Sequence, residues 1–146
     1  MPVVDGGILL RAFSAEAADA LLSVAGPDVP APLAAVELRL LGGAVSRPPT
    51  VPNATGGRQA AYSLHVVGAP VPELLTGAVP AAIGAVFDAL APWGTGGSAI
   101  NFFGAANDMS RIRASWPAEV AERLDAVRDA YDPAGRFPHP ARRQPH

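Results

Sequence analysis

Cysteine and lysine are both missing from this 146-residue chain. The first absence excludes disulfides, thiolate zinc sites, iron–sulfur clusters, a cysteine nucleophile and a flavin attached through sulfur. The second excludes a Walker-type phosphate lysine, a Schiff base and a lysine general base. All 11 cations are arginine and the acids number 13, for a formal charge of -2, so no basic field exists to neutralise a nucleic-acid backbone. Histidine is scarce. His65, His139 and His146 are the only three, two of them in the tail and none at metal-ligand spacing, so no metal site is expected. No apolar run reaches the ~18 residues of a membrane helix, and Met1–Gly6 lacks the basic start of a signal peptide. A soluble, cytoplasmic protein with no nucleic-acid or membrane partner is the expectation. Charged residues make up 16% of the chain and hydrophobic ones 49%, too apolar a balance for a disordered tail and sufficient for a packed core.

Glycine (15) and proline (16) are abundant and cluster where segments end. Gly6-Gly7 precedes an apolar run, Ile8–Phe13, that reads as a strand. Ser14 has the chemistry of an N-cap, with Glu16 in the positive first turn. Ala17, Ala20, Leu21 and Val24 then form a helical stripe that Gly26-Pro27 ends. Leu33–Leu41 alternates as a second strand, with Val36, Leu38 and Leu40 on one face and Glu37 and Arg39 on the other. Residues 46–58, rich in proline and glycine, form a mobile surface loop. Ala60–Val67 is a third strand, with Tyr62, Leu64 and Val66 sharing one face and Ser63 and His65 the other. A helix over Glu73–Leu90 carries Leu75, Val79, Ile83, Val86, Phe87 and Leu90 inward and is kinked near residues 76–80 by Pro80. After the turn Trp93–Gly97, Ser98–Phe103 reads as a fourth strand.

This order, strand-helix-strand-strand-helix-strand, predicts an α+β fold. Its four-stranded antiparallel sheet would follow the ferredoxin-like βαββαβ order, with both helices on one face. Beyond Gly104 the character changes: a short helical turn over Asn107–Arg113, a C-terminal helix over Pro117–Tyr131, a turn at Asp132–Gly135 and a frayed tail from Pro138. Residues 1–104 and 105–146 are therefore expected to be distinct units. Helices on one face leave the other sheet face bare, and that face must meet a ligand, a second copy or another domain.

No motif in the chain specifies a reaction by itself. The glycine-rich pieces Gly94–Gly97 and Gly56-Gly57 lack a dinucleotide or P-loop pattern, and no nucleophile elbow accompanies His65. Glu37 and Arg39 read either as ligand-facing groups or as a surface ion pair across strands. Whether Ser63 and His65 join them on one face depends on register.

The C-terminal third is more informative. Ser98-Ala99-Ile100-Asn101-Phe102-Phe103-Gly104, followed by the run from Arg123-Leu124 through Tyr131-Asp132-Pro133 to Phe137, resembles the end of berberine-bridge-enzyme-like FAD-linked oxidases. Those proteins end with a Tyr-x-Asn-Phe type strand and a helix of the form Arg-Leu-x-x-Val-Lys-x-x-Tyr-Asp-Pro-x-x-x-Phe. Arg128 stands at that lysine. The run Val36–Ala44 and the triplet Ala91-Pro92-Trp93 are similar to the same family's substrate domain, so the resemblance extends from about residue 3 to about residue 140.

The resemblance implies the substrate-domain and C-terminal part of an oxidoreductase that takes a hydride from an alcohol or amine carbon onto FAD and passes the electrons to oxygen. It also implies that FAD is held by an FAD-binding domain on another polypeptide, because the phosphate loop and flavin-attaching histidine of the family are not in this chain. A truncated product without turnover fits the same reading. By resemblance Asn101 faces the flavin side, although a turn-capping role is equally open. Glu37, Arg39, Ser63 and His65 line the substrate side, and Tyr131 and Phe137 pack against the FAD domain. The family tyrosine falls on Ala99, which has no proton to move. Two alternatives follow from that departure: a cofactor-free small-molecule binder or cyclase, and an interaction module in which two copies bury their sheet faces.

Overall fold

The computed structural model describes residues 3–104, 112, 113 and 115–137. Three strands, β1 (Asp5–Leu10), β2 (Leu33–Leu40) and β3 (Tyr62–Gly68), form one antiparallel sheet in the order β1-β3-β2. Helix α1 (Ala15–Ala25) starts where the sequence places it, with the Ser14 hydroxyl accepting from the Ala17 amide at 3.3 Å. The second helical segment is broken rather than kinked. A 3-10 turn spans Pro72–Leu74, and α2 covers Ala78–Leu90. The break puts Pro80 in the first turn of α2, where an amide hydrogen has no intrahelical partner to lose.

The core lies between one sheet face and these two helices. Leu10, Leu64 and Val66 meet Ala17, Val79, Ile83, Val86 and Leu90, all buried. Leu75 and Phe87 of the predicted stripe, with Tyr62, Val36 and Leu38, pack around them partly buried. The third helix, α3 (Ala118–Tyr131), stands outside this cluster and buries Ala121.

The α+β class holds, but the four-stranded ferredoxin-like sheet does not form. The place beside β1 is taken by the turn Trp93–Gly97. Leu9 donates its amide to the Gly97 carbonyl (2.9 Å), Thr95 to Leu9 (2.8 Å) and Arg11 to Trp93 (2.9 Å), and a lone bridge joins Leu10 to Gly94. Glycines contribute no side chain to a pleated face, and Gly96 adopts φ +82°, so the pairing stays irregular. Ser98–Phe103 is carried past the edge and curls into a 3-10 turn, Ile100–Phe102, instead of a strand.

Gly6 and Gly7 are inside β1, not before it, and both are there for close approach. A Cβ on Gly6 would meet the Phe87 ring at 3.1 Å on the helix side. One on Gly7 would meet the Phe102 carbonyl oxygen at 2.6 Å and the Leu64 carbonyl oxygen at 2.8 Å. The two glycines admit an aromatic residue to each side of the strand, which explains why the strand runs Asp5–Leu10 rather than Ile8–Phe13. The predicted turn over Asn107–Arg113 and the tail from Pro138 fall largely outside the described residues. No described helix is long and apolar enough to cross a membrane.

Candidate functional site

Register decides which side chains meet on the helix-free face. β3 pairs Ser63 with Leu9 and Arg39, and His65 with Gly7 and Glu37. Directly opposed residues share a face, so Glu37, Arg39, Ser63 and His65 lie together, joined by Asp5 and Leu9. The ion pair forms along β2 instead of across strands: Arg39 donates Nε and Nη2 to the two Glu37 carboxylate oxygens at 2.6 and 2.7 Å. That bond holds the Glu37 carboxyl below its ordinary range, against desolvation, with the charges of Arg39 and His65 acting in the same direction as the bond. The Arg39 guanidinium is raised by the same contact. His65 Nε2 is 2.9 Å from Asp5 Oδ2.

The curled segment 98–103 covers part of this face. The Phe102 ring lies 5.1 Å from the His65 ring, tilted by 54°, and 4.3 Å beneath the Arg39 guanidinium, a cation–π contact that adds to the Glu37 bond in fixing Arg39. Phe102 thus divides the face. On one side Glu37, His65 and Asp5 form a charged cluster. On the other a cleft of about 350 Å³ opens between the sheet, the 98–103 segment, the loop at 54–57 and Trp116.

Four of the sequence-nominated positions line this cleft: Arg39, Ser63, Ala99 and Asn101. Glu37 and His65 do not. The buried polar residues among those described are Ser63, Ser98 and Ser115, and all three line the cleft. The Ser115 hydroxyl is buried with no hydrogen-bond partner among the described residues. Apolar walls come from Leu9, Leu41, Val45 and Ile100. The cleft therefore suits a ligand with an apolar body and several polar groups along one edge.

The loop at residues 46–58 is stitched rather than free. Arg58 Nη1 donates to the Val45 and Arg47 carbonyls (2.8 and 3.0 Å), and Nη2 to Asn53 Oδ1 (3.1 Å). The Trp116 indole N–H donates to the Ala54 carbonyl at 2.7 Å, pinning the loop over the cleft. Trp116 anchors the loop through that bond. Asp5, Phe102, Ser98 and Ser115 are residues of this face to which no sequence pattern gives a role. Tyr131 and Phe137, expected as packing anchors, are 88% and 78% exposed in this chain.

No known family model matches the sequence, and no curated protein matches it. Among solved structures, a variant of the BBE-like 1 protein of Physcomitrella patens aligns with a TM-score of 0.75 at 16% identity, over 99% of this chain and 31% of that one. This chain has the fold of a stretch of a BBE-like protein. It spans about a third of that relative's length, and at 16% identity the likeness is one of fold.

Proposed function

We propose that this chain is the substrate-side part of a flavin-dependent oxidoreductase, acting on an alcohol or amine carbon of a small molecule and completed by an FAD-binding domain. The observation that carries this is the fold likeness to a BBE-like protein over essentially the whole chain, together with a cleft on the helix-free sheet face at Asn101, the position the motif nominates. Bound FAD would supply two-electron oxidation of the substrate carbon.

The residues fit one wall of such a site and not the holder of the cofactor. The Asn101 amide, the Ser63 hydroxyl and the Arg39 guanidinium offer hydrogen bonds to a ring edge or to substrate oxygens. The glycine-rich turn is no phosphate cradle. Leu9 and Thr95 tie it to β1, and the Gly97 amide is taken by the Thr95 hydroxyl at 3.2 Å. Ala99 leaves the place of the family phenol without an acid or base, so substrate positioning is the main contribution this wall makes. The exposed Tyr131 and Phe137 give the partner domain an apolar purchase.

A second reading, a cofactor-free binder of a small polar-edged ligand, is favoured by Ala99 and by the serine-lined cleft itself. Reconstitution separates the two. The chain is expressed with an FAD-binding half encoded beside it, isolated through a tag on this chain and desalted. Flavin absorbance that stays with the complex and is lost when the partner is omitted is the expected result. A colourless chain that binds no flavoprotein partner, yet takes up a small ligand, would replace the first reading with the second.

A further inference from the structure

The sheet has two edges. That of β1 is occupied by the turn Trp93–Gly97 through the three hydrogen bonds described above, whereas no hydrogen bond from another described segment reaches the outer edge of β2 between Val36 and Leu40. The edge is accessible, with Ala34, Ala35 and Glu37 exposed and Leu40 76% exposed. An open strand of this length is a template for another strand.

We propose that two copies of this chain join through β2, antiparallel and centred on Leu38, so that the sheet runs continuously through both. The phase of the backbone supports this. The Leu41 amide points inward, donating to the Ala61 carbonyl at 2.8 Å. Backbone groups alternate along a strand, so Arg39 and Glu37 also point toward β3, while Val36, Leu38 and Leu40 present their amides and carbonyls outward. A two-fold axis at Leu38 makes Leu38 its own partner and sets Val36 opposite Leu40 of the other copy, giving reciprocal hydrogen-bonded pairs at each of these positions.

Charge selects this register over its neighbours. Keeping each copy's helices on the same side of the sheet requires directly opposed residues of like parity. Centring on Glu37 would oppose two carboxylates, and centring on Arg39 would oppose two guanidiniums. Centring on Leu38 places Glu37 of each copy opposite Arg39 of the other, at the wide positions where side chains approach most closely. The intrastrand pair, with its 2.6 Å bond, then becomes a four-charge array across the two-fold axis. On the helix side the exposed Leu40 side chain is covered by Val36 of the second copy. This assembly is independent of the flavin reading.

The test is sedimentation equilibrium over a dilution series of about 1 to 100 μM, the range suited to a small interface. The wild type is expected to dimerise. Leu38→Pro removes an outward amide without touching the β3 ladder and should weaken association about tenfold or more. Glu37→Arg and Arg39→Glu each oppose like charges and should do the same, while an equimolar mixture of the two variants should recover a heterodimer. Thermal unfolding of each variant reports that it is folded. A wild type that stays monomeric, including one whose edge is taken by a strand of another protein, would overturn the proposal. So would a dimer that none of the three substitutions weakens, or singly reversed variants that fail to pair when mixed.

Discussion

Gly7 is where one hydrogen atom decides the architecture of the cleft. With no side chain there, Phe102 lies directly on β1 and holds the 98–103 segment across the sheet. Gly7→Ala would force its Cβ within 2.6 Å of the Phe102 carbonyl oxygen and 2.8 Å of that of Leu64. Both are backbone atoms, so the strand or the segment must move. A loss of about 1–3 kcal/mol in chemical denaturation is expected, with weakened ligand uptake at the cleft. Asp125 illustrates a charge effect on a single group. Its bond from Arg113 holds the carboxyl below the ordinary aspartate range, against desolvation, with the charges of Arg113 and Arg128 and the Arg128 bond adding to the effect. A carboxyl depressed in the folded state stabilises the fold above its unfolded pKa and loses that contribution as the pH falls through the lower, folded value. Stability measured against pH should therefore fall on the acid side of the normal aspartate range, and Asp125→Asn should flatten that part of the profile. The size of the change is modest because the pair is partly open to solvent.

At the scale of elements, the boundaries that punctuation chemistry controls were readable. Ser14 caps α1 as its hydroxyl suggests, and Ser14→Ala should cost about 1 kcal/mol by thermal unfolding. Pro80→Ala, by contrast, should be nearly neutral, because Pro80 sits where no helical amide bond is lost. The alternation in Leu33–Leu41 and Ala60–Val67 was enough to find β2 and β3 and to sort their faces. Two glycine pieces do more than punctuate the chain. Gly6-Gly7 reads as the lead-in to a strand and lies inside it, and the expected turn at Trp93–Gly97 forms but also pairs with the edge of β1. Glycine in a sequence signals missing bulk, and only the neighbours in space reveal whether that allows a turn or the close approach of a ring. The fourth strand failed on this point. Once the glycine turn takes the edge beside β1, Ser98–Phe103 can no longer pair with that strand.

On the scale of the whole molecule, one layer of helices closes one sheet face and a curled segment, a stitched loop and Trp116 partly close the other. The closed side holds the stability. Leu64 is completely buried at the centre of it, and Leu64→Ala should cost about 2–5 kcal/mol in denaturant titration. The open side holds the cleft. The nominated residues Arg39, Ser63, Ala99 and Asn101 converge there although 60 positions separate Arg39 from Ala99, because β2 and β3 supply two of them and the segment after Trp93 brings the others back over the same face. Their residue types were legible in the sequence. Their convergence required the register of β3 and the path of a segment that is not a strand. Glu37 and His65 separate from the cleft because Phe102 stands between the two halves of the face, which no pattern in the sequence displays.

The most direct measurement is the rate at which substrate bleaches the visible flavin band, under anaerobic conditions, in an FAD-binding partner domain with and without this chain. Rapid bleaching that depends on the chain, and that slows when Ala99→Trp fills the cleft, is the predicted result. Bleaching at the same rate in the partner alone, or unaffected by the filled cleft, would contradict the assignment of this face to the substrate.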